Sequence, residues 1–315
     1  MSTYLVTGAA GFVGSNLCER LIGNGARVVG VDRFSPFYGR EDKEANLEAL
    51  RKADGFKFIE MDLAKDPLEK IVSGVDGVFH LAAQAGVRDS WGQAFSIYLD
   101  DNNLSTQRLL EACRDQTLKA FVYASSSSIY GDALEGPTKE DAVPRPVSPY
   151  GVSKLAGEHL CYLYHRNFGI HTVALRYFTV YGPRQRPDMA FRRFLTAGIE
   201  GNAISVFGDG EQSRDFTYVA DAVEGTYQAM QKGAPAAVYN IGGGQRATLN
   251  EVIALMGEIQ GVPLKEDRGE VQKGDVRHTW ADTSFAKMDL DFQPKTNLRD
   301  GLRAEHEWLL GRLKK

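Results

Sequence analysis

Tyr150 and Lys154 stand one helical turn apart, a spacing that puts both on the same face of a helix. A free phenol, with a pKa of about 10, is a poor base at neutral pH. A nearby ammonium, together with the positive charge of an oxidised nicotinamide, favours the phenolate and lowers that value. Tyr150 can then take the proton of a sugar or alcohol hydroxyl while hydride leaves for the nicotinamide. Ser126 is placed to bridge the same hydroxyl by hydrogen bonding. The three residues follow an N-terminal loop, Gly8-Ala9-Ala10-Gly11-Phe12-Val13-Gly14. Glycines at that spacing let the backbone approach a pyrophosphate, which rests on a helix N-terminus. The apolar run Tyr4-Leu5-Val6 before the loop, the helical pattern from Phe12 to Ile22 after it, and Asp32 closing the next strand complete a dinucleotide-binding signature.

Asp32 can accept hydrogen bonds from adenosine ribose hydroxyls and repels a 2′-phosphate, which favours NAD over NADP. Arg33 pulls the other way, since an arginine there can welcome a phosphate. Asp62-Leu63, after the third strand, can hold the adenine edge; capping a helix is the alternative for Asp62. Leu81-Ala82-Ala83 offers small residues where a cofactor must pass close.

The elements that must position these residues are legible in outline. Arg27 to Asp32, Phe56 to Glu60, Gly77 to Leu81, Ala120 to Ala124 and His171 to Arg176 read as strands. Helical patterns at Glu41 to Arg51, Ile97 to Arg114 and Tyr150 to Asn167 alternate with them. Such alternation predicts an α/β fold, a doubly wound parallel sheet covered on both faces. Past Pro183 the pattern is less regular. Helices are expected near Phe191 to Glu200, Leu249 to Gln260 and Leu298 to Leu313, and strands at Ala203 to Phe207 and Val238 to Gly242. The predicted division is a Rossmann domain over 1–178, to which about 214–243 returns, and a smaller α/β substrate domain made mainly from 179–315.

At 315 residues the chain can build a substantial core. Its 43% hydrophobic and 25% charged content is that of an ordinary globular protein, and a net charge of −4 gives no general attraction to nucleic acid or anionic membranes. The three cysteines, Cys18, Cys113 and Cys161, have neither metal-ligand nor disulfide-framework spacing. No stretch reaches membrane-spanning length and no signal peptide is present, so a cytoplasmic protein without bound metal is expected.

Together these residues resemble the extended branch of the short-chain dehydrogenase/reductase superfamily, which handles nucleotide sugars. The marks are Thr7 to Gly14, His80-Leu81-Ala82-Ala83, Ser125 to Gly131, Pro149 to Lys154 and Arg176-Tyr177-Phe178. Within the branch, Gln84 to Arg88, Phe178 to Pro183, Arg186 to Ala190 and Arg214 to Tyr218 resemble UDP-glucuronate 4-epimerases. The resemblance implies that Tyr150 takes the C4 proton, hydride passes to NAD, the 4-keto sugar turns, and hydride returns to the opposite face. It places the catalytic hydroxyl on Ser126 and the support for Lys154 on Asn103. Dehydratases and decarboxylating relatives carry an acid at the position of Ser128, which Ser127 precedes here; its absence implies simple epimerisation.

A glucuronate oxidised at C4 is a β-keto acid and loses carbon dioxide easily. Arg186 and Thr179 are the candidates for holding its carboxylate in the carbonyl plane, with Ser127 and Ser128 in reach of it. An asparagine usually stands in place of Thr179 in neutral-sugar 4-epimerases. The alternative for Arg186 is a loop-shaping pair with Asp188. The resemblance further implies a diphosphate clamp from Arg214 and Arg277, with Arg193 as a weaker candidate, a uracil slot at Val206-Phe207 made by backbone bonds and stacking, and Arg88 bordering the sugar. Relatives pair helices such as Ile97 to Arg114 and Tyr150 to Asn167 into a four-helix interface. Leu99, Leu104, Leu109, Leu110, Leu155, Leu160 and Leu163 exceed the needs of one sheet contact, so a homodimer is expected, with overfilled internal packing as the competing explanation. UDP-glucose 4-epimerisation, decarboxylation of UDP-glucuronate and dinucleotide sensing without catalysis stay open as rival functions.

Overall fold

The computed structural model describes residues 1–132, 136–270 and 274–313. Six strands alternate with helices through the first part of the chain: β1 (Thr3–Thr7), β2 (Arg27–Asp32), β3 (Phe56–Glu60), β4 (Gly77–His80), β5 (Phe121–Ser126) and β6 (Thr172–Tyr177). Between them run α1 (Phe12–Gly23), α2 (Arg40–Leu47), α3 (Glu69–Val72), α4 (Phe95–Tyr98), α5 (Ser105–Ala112) and α6 (Pro149–Phe168). The remaining strands are β7 (Val180–Tyr181), β8 (Ala203–Phe207), β9 (Ser213–Asp215), β10 (Thr217–Tyr218), β11 (Ala237–Ile241), β12 (Arg246–Thr248) and β13 (Lys265–Gly269). With them come α7 (Ala190–Glu200), α8 (Val219–Lys232), α9 (Leu249–Gln260), α10 (Ser284–Leu290) and α11 (Leu298–Leu313).

Seven strands form one parallel sheet in the order β11-β6-β5-β4-β1-β2-β3. Strand order reverses at β1, which pairs with β2 on one side and β4 on the other. In an open α/β sheet the crevice at that reversal is where ligands bind. Leu17, Leu21, Val223 and Met230 belong to the core on one face, Leu109, Leu110, Cys161 and Tyr164 to the core on the other. A third core, with Phe191, Leu195, Val206, Val252, Met256 and Leu302, lies among α7, α9, α11 and β8. The three cysteines are buried and free.

Local sequence explains the catalytic helix. Ser148 caps α6 by accepting a hydrogen bond from the Gly151 amide at 3.1 Å, Pro149 opens its first turn, and Gly169 (φ 74°) ends it in the left-handed region. The expected helix over Ile97 to Arg114 is instead α4, a π-helical turn from Leu99 to Leu104, and α5. The edge strand β13, with the sequence KEDRG, was not anticipated: it is exposed throughout, so it carries no alternating apolar pattern.

Glu305 on α11 is fully buried beneath the Gly182 turn. Its Oε2 accepts the Gly182 amide at 2.9 Å, and Oε1 has no hydrogen-bond partner among the described residues. Burial raises its pKa from 4.5 to about 8, with the Gly182 amide and Arg192 pulling the other way. The folded chain therefore binds a proton that the unfolded chain releases between those values, and this contribution to stability is lost as pH rises from 4.5 to about 8. Glu305→Gln keeps the neutral form. Its Tm relative to the parent protein is expected to rise between pH about 5 and about 8; parallel Tm–pH curves would contradict this protonation.

Candidate active site

A cleft of about 980 Å³ runs along the carboxyl edge of the sheet at the reversal point. Its floor is the glycine turn between β1 and α1. Gly8 has φ 71°, and a Cβ on Gly14 would stand 2.1 Å from the Gly8 carbonyl oxygen. The turn can thus bring backbone amides close to a pyrophosphate, and Gly11, Phe12 and Val13 line the same wall. Thr7, His80 and Thr106 support it from below: His80 Nδ1 lies 2.8 Å from Thr7 Oγ1 and Nε2 lies 2.9 Å from Thr106 Oγ1. Burial lowers the His80 pKa to about 3, so this histidine is a neutral strut.

Asp32 ends β2 and faces the cleft, its Oδ1 accepting the Phe34 amide at 2.8 Å. Arg33 is neutralised, with guanidinium contacts of 3.3 Å to Asp62 and 2.6 Å to Asp101. Asp62 lines the cleft and also accepts the Ala64 amide, so it caps a turn while facing the cleft. Leu63, Leu81, Ala82 and Ala83 line the cleft as well. Sequence reasoning missed Lys43. This buried residue of α2 brings Nζ to 3.7 Å from Asp32 Oδ1 and donates to Ser35 Oγ at 3.2 Å. A lysine in a polar helical segment gives no sequence signal that it points inward.

At the other end of the cleft, β5 delivers Ser126 and α6 delivers Tyr150 and Lys154. Ser126 Oγ accepts the Ser128 amide at 3.1 Å, which folds Ser127 and Ser128 into a short turn facing the cleft. Tyr150 packs edge-on against Tyr98, whose hydroxyl donates to the carbonyls of Ala85 and Gly86. Burial raises the Tyr150 pKa, while a hydrogen bond with Ser126 and the Arg186 guanidinium pull it down. The lowered phenol pKa expected from the sequence is therefore not produced by the chain alone. Burial also lowers the Lys154 pKa to about 7; its Nζ donates to the Ala124 carbonyl at 2.8 Å. Glu158, one turn further along α6, is engaged by Arg176 at 2.8 and 2.9 Å and by the Ser125 hydroxyl. Asn103 does not line the cleft: it donates to the Ser153 carbonyl at 2.8 Å, and its neighbour Asn102 ties Gln84 to the Ser153 hydroxyl.

Thr179, Arg186, Arg193, Arg88 and Phe207 also line the cleft. Arg186 holds Asp188 through two hydrogen bonds, and Arg88 pairs with Asp275 at 2.5 Å and lies over the Phe207 ring. Three candidates lie elsewhere. The Val206 side chain is in the third core, because alternation along β8 turns Ser205 and Phe207 to the cleft and Val206 away. Arg214 donates to the backbone carbonyls of Ser213 and Arg277, and Arg277 pairs with Asp209 at 2.8 Å; neither lines the cleft.

The family model described as NAD dependent epimerase/dehydratase matches residues 4–242. The chain is 45% identical over 312 residues to YtcB of Bacillus subtilis (strain 168), named as an uncharacterized UDP-glucose epimerase, with 97% of each covered. It is 39% identical over 313 residues to a UDP-glucuronate 4-epimerase of Thermodesulfobacterium geofontis (strain OPF15), covering 98% of this chain and 96% of that one. The crystal structure of a Bacillus cereus UDP-glucuronic acid 4-epimerase with UDP-glucuronic acid and NAD superposes with a TM-score of 0.96 at 44% identity, covering 98% and 99% of the two chains.

The Asp32–Lys43 pair generates a prediction about the dinucleotide. Asp32→Asn removes the charge that repels a 2′-phosphate and frees the Lys43 ammonium to meet one. The NADP-to-NAD affinity ratio is expected to rise at least about tenfold, read by nucleotide titration of the apoprotein. Lys43→Met in that background should reverse the gain.

Proposed function

The chain belongs to the NAD dependent epimerase/dehydratase family, and from that premise we propose that it interconverts UDP-glucuronate and UDP-galacturonate by NAD-dependent epimerisation at C4. One observation carries the choice of sugar. The glucuronate carboxylate is attached at C5, beside the reacting C4, so its grip must adjoin the base. Arg186 and Thr179 share the cleft with Tyr150 and Ser126, and Arg186 stands near enough to lower the Tyr150 pKa. The glycine cradle, the α1 N-terminus and Asp32 fit a dinucleotide at the other end.

Tyr150 takes the C4 hydroxyl proton as hydride leaves C4, and gives the proton back when hydride returns to the opposite face. Ser126 bridges the phenol and the sugar hydroxyl. NAD, when bound, would supply the hydride acceptor and, in its oxidised form, positive charge that favours the phenolate. Lys154, anchored on the Ala124 carbonyl, adds its charge on the same side. Arg186 and Thr179 hold the carboxylate so that the C5–carboxylate bond lies in the carbonyl plane, which denies it the overlap that decarboxylation requires. Ser128, in place of an acid, offers no proton for chemistry beyond the ketone. Arg214 and Arg277 stay candidates for the diphosphate through the resemblance, Arg277 by exchanging Asp209 for phosphate.

The helical face for a homodimer is narrower than the leucine count implied. Leu109 and Leu110 are fully buried and Leu155 and Leu160 are partly buried, whereas Leu99, Leu104 and Leu163 are exposed with Ile97, Val152, Tyr162 and Phe168. We propose that this apolar face pairs with its copy. Among the described residues no helix is long and apolar enough to cross a membrane.

Purified protein given UDP-glucuronate without added cofactor should form UDP-galacturonate and no carbon dioxide, followed by NMR with gas trapping. Tyr150→Phe should lower kcat by at least about a thousandfold with the dinucleotide still bound. Equal or faster turnover of UDP-glucose would move the assignment to a neutral sugar. Leu163→Arg should shift the sedimenting species from dimer to monomer.

A further inference from the structure

Asp188 has no part in the chemistry above, yet its carboxylate lines the cleft and occupies one edge of Arg186. Arg186 Nε donates to Oδ1 at 3.0 Å and Nη2 donates to Oδ2 at 2.8 Å. A guanidinium has a second forked edge, Nη1 with Nη2, and the planar group holds both edges in one fixed relation. The Met189 amide closes the turn on the Arg186 carbonyl at 3.1 Å, so Asp188 reaches back over a short tether. The Phe37 ring, 5.7 Å from the guanidinium carbon, limits rotation of the plane. The pair is charge-neutral, so its grip on an anion depends on hydrogen-bond direction more than on net attraction.

Building on the epimerase reading, we propose that Asp188 is a positioning residue that determines the fate of the ketone: it fixes Arg186 by one edge so that the other presents a constant plane to the substrate carboxylate. The alternative outcome has balanced chemistry. If the carboxylate swings out of the carbonyl plane, the C5–carboxylate bond breaks and its electron pair forms the enolate across C4 and C5. Carbon dioxide leaves and C5 takes a proton. The C4 ketone survives in the resulting 4-keto pentose, so the hydride on the cofactor either returns to it, giving a pentose nucleotide, or stays behind when the 4-keto pentose leaves the site. Each such failure therefore releases one carbon dioxide, and each 4-keto pentose that escapes unreduced leaves one reduced nicotinamide.

The test uses the holoenzyme and its Asp188→Asn and Asp188→Ser variants with UDP-glucuronate. Carbon dioxide per UDP-galacturonate is measured together with nicotinamide fluorescence, KM, kcat and Tm. Both variants are expected to raise the ratio of gas to epimer at least about tenfold, with 4-keto pentose and pentose nucleotide together matching the gas, reduced cofactor matching the 4-keto pentose, and KM within about threefold of the parent. An unchanged ratio with lower kcat and Tm would reduce Asp188 to a structural residue and overturn the proposal. A lower KM with an unchanged ratio would identify Asp188 as a competitor for Arg186, which also overturns it. The parent enzyme keeps the two readings apart. If it fails to epimerise UDP-glucuronate, the assigned function is wrong; if it turns over cleanly and so do both variants, only the role of Asp188 is wrong.

Discussion

Burying an ammonium beside a phenol without a neutralising carboxylate is the constraint on which this molecule depends. Lys154 gives up water, and that burial lowers its pKa to about 7; the Ala124 carbonyl is the hydrogen-bond partner it receives in return. The nearest carboxylate along the same helix, Glu158, is already committed to Arg176 and Ser125. Arg176 continues through the Tyr130 hydroxyl to Asn240 of β11. This network ties the catalytic helix to three neighbouring strands and holds the Glu158 carboxylate on Arg176 and Ser125.

The remaining cations follow a second pattern. Lys43, Arg33, Arg88, Arg186 and Arg277 each meet an aspartate of the chain itself. Such pairs hold planar donors in defined orientations, and an anionic ligand then meets a directed donor rather than a mobile charge. Orientation matters more than attraction for a reaction whose intermediate must turn and yet keep its carboxylate.

The sheet, its helices and the cofactor cradle were legible in the sequence because they rest on strong local signals: glycines in a strand-to-helix turn, apolar runs of strand length, and Tyr150 with Lys154 on one helical face. The cleft-lining set was legible through resemblance, and the structure brings most of it together. What the sequence did not reveal depends on tertiary contacts. Nothing local marks Lys43 as inward-facing or Arg33 as neutralised by Asp62 and Asp101. Strand alternation sends the Val206 and Phe207 side chains to opposite faces, which leaves stacking to Phe207 and only the backbone of Val206 for a uracil slot. The polar strand β13 and the π-helical turn at Leu99 to Leu104 arise from pairing and packing that no apolar period encodes.

The most direct measurement follows a deuterium placed at C4 of UDP-glucuronate through one conversion in ordinary water. Removal and return of the same hydride within one closed site predicts UDP-galacturonate with deuterium fully retained at C4 and no label in solvent. Loss of the label to water, with epimer still formed, would mean that inversion proceeds by proton exchange at carbon and would contradict the role assigned to Tyr150, Lys154 and the bound dinucleotide.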